Sequence, residues 1–276
     1  MRPFSTLGSR YPFGVALSLL LLAAGWFIVP LLLRGPVDAT GGTGTLDLTD
    51  LRPFIVTEGL LSLGLLLIVA LLGWTRATGL RGPVDPAGMR LAGWIVTPAC
   101  LIIAVSWTGF VMVADGRPFA TSLQSIAILS ILIGLFEELL FRGVLLHGLR
   151  SRVTAGWAII GSGVLFGLFH AVNAIVGQNL ALTAIQMVGA TGLGLFFAAI
   201  TVQARSLWPA IALHALWDAF ALSAPVAYQL LPQVDAGAVP QPGPQAMILP
   251  AFLALAAWII HQRWRRRMAR DIPPYP

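Results

Sequence analysis

Eight apolar runs divide this chain, and they constrain what it can fold into more than any other feature. They lie near residues 13–33, 54–74, 91–113, 125–149, 157–176, 180–202, 207–224 and 247–260. About 20 residues rising 1.5 Å each cross roughly 30 Å of hydrocarbon, so each run reads as a transmembrane helix. Hydrophobic residues make up 57% of the 276 residues and charged residues 10%, far from the balance of a soluble domain. The expected fold class is all-α, a polytopic transmembrane bundle of about eight spans. The breaks between runs, such as GPVDATGGTGTLDLTD and DAGAVPQPGPQ, are Gly/Pro-rich loops with no room for a soluble domain. The first run is too long for the apolar region of a signal peptide and is read as a span.

The charges orient the bundle. All seventeen basic residues are arginine, and they cluster at the ends of the apolar runs. With the N-terminus inside, inner segments hold fourteen of them, counting Arg142, which itself lies within a span; outer segments hold Arg34, Arg52 and Arg117. That asymmetry places both termini in the cytoplasm. It also accounts for the basic composition without a nucleic-acid partner, because no basic face of a polar domain exists. The expected partners are membrane lipids, held in part by the terminal RWRRRMAR. Cys100 is the single cysteine; it excludes disulfide frameworks and CxxC metal sites and reads as a small core residue.

FEELLFRG, residues 136–143, is the anomaly in this pattern. The chain has three glutamates, and two of them, Glu137 and Glu138, fall at the midpoint of the run 125–149. A central acidic residue costs roughly 2.5–3.5 kcal/mol on insertion scales, so two neighbours require partners or a water-filled cavity. Arg142 is four residues after Glu138, on the same helix face, with the glutamate in the favoured N-terminal position. Glu137 is turned about 100° away and is left for another task. A structural ion cluster locking two helices is the competing explanation.

The remaining titratable groups of the spans tip the balance. His170 ends LFGLFH about 5 Å from the midpoint of its run, with Phe166 four residues earlier on the same face. His214 and Asp218, in LHALWDAF, again share a face near mid-depth. Three helices placing polar groups at one depth are explained most simply if those groups meet one another. His147 and His261 lie at the expected cytoplasmic helix ends, where a histidine is easily solvated. Glu58, near the outer end of its run, and the loop aspartates read as solvated charges.

In this order, EExxxR (Glu137, Glu138, Arg142), FxxxH (Phe166, His170) and HxxxN/D (His214, Asp218) resemble the CPBP family of intramembrane proteases, which includes the CAAX prenyl endopeptidases and the Abi-like bacterial proteins. The resemblance covers roughly residues 119–222. It implies three parts: N-terminal transmembrane helices (1–118), a catalytic core (119–222), and a loop, last helix and basic tail (223–276). It implies an endopeptidase acting on a membrane-associated peptide or protein, as a multi-pass protein of the cell membrane, with a bacterial inner membrane expected. Peptide hydrolysis needs an activated water, a donor to the oxyanion and a proton for the leaving amine. Glu137 would be the general base, with His170 holding the water. His214, steadied by Asp218, would face the oxyanion, and Glu138 with Arg142 would fix the helix. No cofactor is expected in this scheme; a zinc version would use His170, His214 and Glu137 as ligands. Asp218 stands where the better-known endopeptidases carry asparagine, so it acts either as a protonated donor or as an anion orienting His214. An inactive membrane scaffold or immunity-type protein, and a proton-coupled transporter, are the alternative functions.

Overall fold

The computed structural model describes residues 3–34, 50–113, 117–175, 178–230 and 248–270. The two loops quoted above fall almost wholly outside these residues. Among the described residues the chain is helical throughout, with no strand: α1 (Pro3–Arg10), α2 (Pro12–Arg34), α3 (Arg52–Leu71), α4 (Pro86–Val113), α5 (Arg117–Glu138), a π-helical segment (Leu139–Leu145), α6 (Leu146–Arg150), α7 (Ala155–Phe169), α8 (Val172–Ile175), α9 (Leu180–Ala204), α10 (Trp208–Leu230) and α11 (Ile248–Arg270). Among the described residues, five stretches are long and apolar enough to cross a membrane: Pro12–Val29, Arg52–Leu71, Pro86–Gly109, Ala155–Ile175 and Leu180–Ala204. The protein is an all-α, multi-pass membrane protein.

Local chemistry sets the helix ends. Proline opens α2 and α4 and occupies the first turn of α3 and α10, where its missing N–H costs nothing. Asn179 caps α9, its Oδ1 accepting from the amides of Ala181 and Leu182 at 2.9 and 3.3 Å. Asp85 caps α4 through the amide of Gly88 at 2.9 Å. At the far end of α9, Arg205 takes the left-handed conformation, φ 52°, that glycine usually supplies.

Apolar side chains fill the core and also cover much of the outside. Trp94, Met112 and Leu180 are among the large apolar side chains directed outward, while α9 is the most buried of the five candidate spans. Lipid is as apolar as leucine, so helices associate by close approach of small residues. A Cβ on Gly194 of α9 would lie 2.8 Å from the Cα of Gly163 in α7, and one on Gly192 would lie 2.7 Å from the backbone of Pro250 in α11. The α7–α9 and α9–α11 contacts therefore rest on glycine. Cys100, expected in the core, is exposed on α4 instead, among outward-facing Leu101 and Ile102.

Two helices expected to be continuous are interrupted. The run 125–149 passes from α5 into the π segment directly after Glu138 and resumes as α6. The run 157–176 stops at Phe169. Its break has a local cause: the His170 ring captures the Phe166 carbonyl, and the His170 amide turns to Gly167 at 3.2 Å, tightening the last turn.

Candidate active site

A cavity of about 610 Å³ opens among α3, α5, α7, α9 and α10, and Glu137, Phe166, His170, His214 and Asp218 all line it. Those five sequence candidates are thus brought together from three helices. Glu138 and Arg142, the other two, lie behind them, fully buried.

The buried layer is built on Glu138. Its Oε1 accepts from Arg142 Nη1 and from His214 Nδ1, each at 2.7 Å. The expected i, i+4 pair is present, and the same carboxylate anchors His214. Glu138, and not Asp218, is therefore the hydrogen-bonding partner that orients the His214 ring, because Asp218 Oδ2 stands 3.5 Å from the other nitrogen, Nε2. Nδ1–H must donate, since an ionised carboxylate only accepts. Nε2 is left facing the cavity, 3.6 Å from Glu137 Oε2. Asp218 Oδ2 itself has no hydrogen-bond partner among the described residues.

Aromatic rings hold the cation in place. The Arg142 guanidinium carbon lies 4.1 Å from the centroid of Phe166 and 5.6 Å from that of Phe197, within cation–π range. Phe166 also meets the edges of His170 and His214, centroids 4.9 and 5.8 Å away. The phenylalanine of FxxxH thus packs against the arginine of EExxxR and both histidines. Ser162 of α7 donates to the Phe141 carbonyl within the π segment at 3.0 Å, giving that irregular backbone a further partner, as π turns at functional sites often require.

His170 is fixed differently. Its Nδ1 is 2.9 Å from the Phe166 carbonyl, which can only accept, so Nδ1 carries the proton and Nε2 holds the free position of the ring. Glu137, about one-fifth exposed, has no hydrogen bond among those described and presents its carboxylate to the cavity.

Glu58 corrects the reading of it as a solvated charge. It lines the same cavity, its Oε2 is buried without a hydrogen-bond partner, and it is close enough to Glu137 and Asp218 for their charges to act on it. Asn173 and Gln186 also line the cavity and bond to each other at 2.9 Å. His147 and His261 do not reach this cavity; the first packs on Trp74 and the second on Trp264.

Among the described residues, no three His, Cys, Asp or Glu side chains are disposed to hold an ion, and the trio His170, His214 and Glu137 is not gathered as a ligand cluster.

No curated protein sequence matches the chain. Residues 119–220 match a family described as Rce1-like, type II CAAX prenyl endopeptidase, and this stretch contains every motif residue of the cavity wall and of the Glu138 layer. The chain carries an Rce1-like domain, of the CPBP family, at residues 119–220.

Proposed function

We propose that the protein is an intramembrane endopeptidase that hydrolyses a peptide bond of a membrane-associated protein or peptide, with Glu137 as general base. The observation that carries this reading is the placement of Glu137, His170 and the Nε2 face of His214 around one cavity. Glu137 takes a proton from water, and the water oxygen attacks the scissile carbonyl carbon. The free Nε2 of His170 accepts the second water hydrogen and fixes the direction of attack. Charge then develops on the carbonyl oxygen. A donor Nε2–H of His214 meets it, which requires both ring nitrogens to be protonated, with Glu138 holding Nδ1–H. Asp218, beside that nitrogen, either donates as a neutral acid or steadies the imidazolium. Collapse of the tetrahedral intermediate breaks the C–N bond, and the proton held by Glu137 passes to the leaving amine.

Glu58, which lines the same cavity, supplies an acceptor for an N–H of the substrate backbone. The apolar remainder of the cavity, including Phe27, Leu193 and Trp217, suits a segment arriving from the bilayer. The reading further holds that the chain spans a cell membrane, of the bacterial inner-membrane kind, eight times with both termini inside. Purified protein assayed against a library of membrane peptides tests the activity. Cleavage lost in Glu137→Gln supports it; cleavage unchanged in that variant rejects it.

A further inference from the structure

A second cavity, of about 430 Å³, lies beyond the Glu138–Arg142 pair and has the opposite character. Arg76, Arg81, Arg142, Arg150 and Arg205 line it, drawn from the segment after α3, the π segment, α6 and the end of α9. Its one lining carboxylate among the described residues, Asp85, is already engaged by Arg267 through two bonds of 3.0 and 2.6 Å. None of Arg76, Arg81, Arg150 or Arg205 forms an ion pair with a described carboxylate. Four guanidinium groups without a carboxylate partner, beside a fifth that Glu138 pairs, repel one another unless an anion joins them.

Buried donors point to the same ligand. Arg142 is almost fully buried, and its Nε and Nη2 have no hydrogen-bond partner among the described residues; neither has the hydroxyl of Thr201, which is 7% exposed and lines the cavity. Such groups cost free energy unless satisfied. Arg205 adds a conformational argument, since it holds a left-handed φ of 52° at a position where glycine would be unstrained. Its side chain lines the cavity despite that strain.

Depth identifies the source of the anion. Trp264 lines the cavity, and the Trp208 indole, half-exposed, donates to the Leu80 carbonyl at 3.1 Å. Tryptophans gather where hydrocarbon meets headgroups, and basic pockets between helices at that level suit phosphate headgroups. We propose that this basic cavity binds the phosphate of an anionic phospholipid. Through Arg142 the bound headgroup adjoins the layer that orients His214, so lipid composition is linked to the candidate active site.

The full chain in detergent, titrated with phosphatidylglycerol, phosphatidylcholine or inorganic phosphate, tests this by melting temperature and by mass spectrometry of the intact complex. Phosphatidylglycerol should raise the melting temperature and stay bound, and phosphatidylcholine should do neither. Arg76→Gln with Arg205→Gln should weaken phosphatidylglycerol binding by roughly fivefold for each arginine removed. Arg263→Gln with Arg266→Gln, which removes equal charge from exposed positions of α11, should leave binding within about twofold. Equal weakening in the two double variants, or equal binding of phosphatidylcholine, overturns the site. Stabilisation by inorganic phosphate as strong as that by lipid overturns the headgroup assignment in favour of free phosphate. Arg205→Gly guards against a folding defect, because it removes the charge and relieves the backbone: lower lipid affinity with undiminished stability supports the proposal, and unchanged affinity rejects it. These readouts are of binding, so their failure leaves the protease reading untouched.

Discussion

Glu137 and Glu138 are adjacent in sequence and both face His214, yet one opens on the cavity and the other is fully buried, and substitutions should separate them. Glu137 faces the cavity without a hydrogen bond, so Glu137→Gln should lower the cleavage rate at least about a hundredfold, the scale of a lost general base, with little change in melting temperature. Glu138 holds both Arg142 and His214. Glu138→Ala strands a buried guanidinium and should cost roughly 3–5 kcal/mol, seen as lower folded yield and melting temperature. Asp218→Asn distinguishes the two roles of that residue: activity preserved or raised marks a neutral donor, and activity lost marks an anion beside His214. Under the glutamate mechanism a chelator leaves turnover unchanged. Loss of activity that zinc restores would replace that mechanism with a metal one.

At the scale of elements, glycine contacts and one ion pair hold the helices that position the site. Gly194→Ala would drive a methyl group into the Gly163 backbone of α7 and to within 3.1 Å of Arg142 Nη2, so α7 and α9 must move apart. The expected loss is about 1–3 kcal/mol, measured by thermal unfolding, with activity falling because Arg142 shifts. The Asp85–Arg267 pair ties the start of α4 to α11, and the Asp85 amide bonds to Ala204 of α9 at 2.8 Å. Partial burial pushes the Asp85 carboxyl up, but the Gly88 amide and the Arg267 guanidinium outweigh it and hold the group below its ordinary value. A depressed carboxylate stabilises the fold above its unfolded value, and that contribution is lost as pH falls through the lower folded one. Acid should therefore lower the melting temperature of the wild-type chain more than that of Arg267→Ala, which lacks the pair. Much of this level is hidden in the sequence. The charged pair and the three motifs are legible because charge in hydrocarbon is costly and stands out. The π segment is not, since LLFRGVL has the composition of ordinary helix, and the break at His170 depends on a side chain competing for a carbonyl. Glu58 is missed because a carboxylate four residues inside an apolar run looks as if it reaches water; only the folded arrangement of α3 against α5 and α10 shows it within the cavity.

At the scale of the whole molecule, the basic cavity and the candidate active site lie on either side of the Glu138–Arg142 pair, and their order across the bilayer is a consequence of orientation. Arg76, Arg81, Arg150 and Arg205 converge on one hollow, as expected if the segments that carry them share one side of the membrane. Short loops rich in arginine stay in the cytoplasm, so in the proposed topology that side would be the inner one, with Glu137 toward the centre. Reporter fusions test this directly. On the proposed topology, fusions after Gly82 and after Arg270 should both read cytoplasmic, because both junctions lie beside arginines, while a fusion after Pro240, in the segment between α10 and α11, should read external. An external reading after Arg270 would remove the eight-span topology. An external reading after Gly82 would go further, placing Arg76 and Arg81 on the outer face, where the headgroup-binding cavity would have to be supplied from the other leaflet.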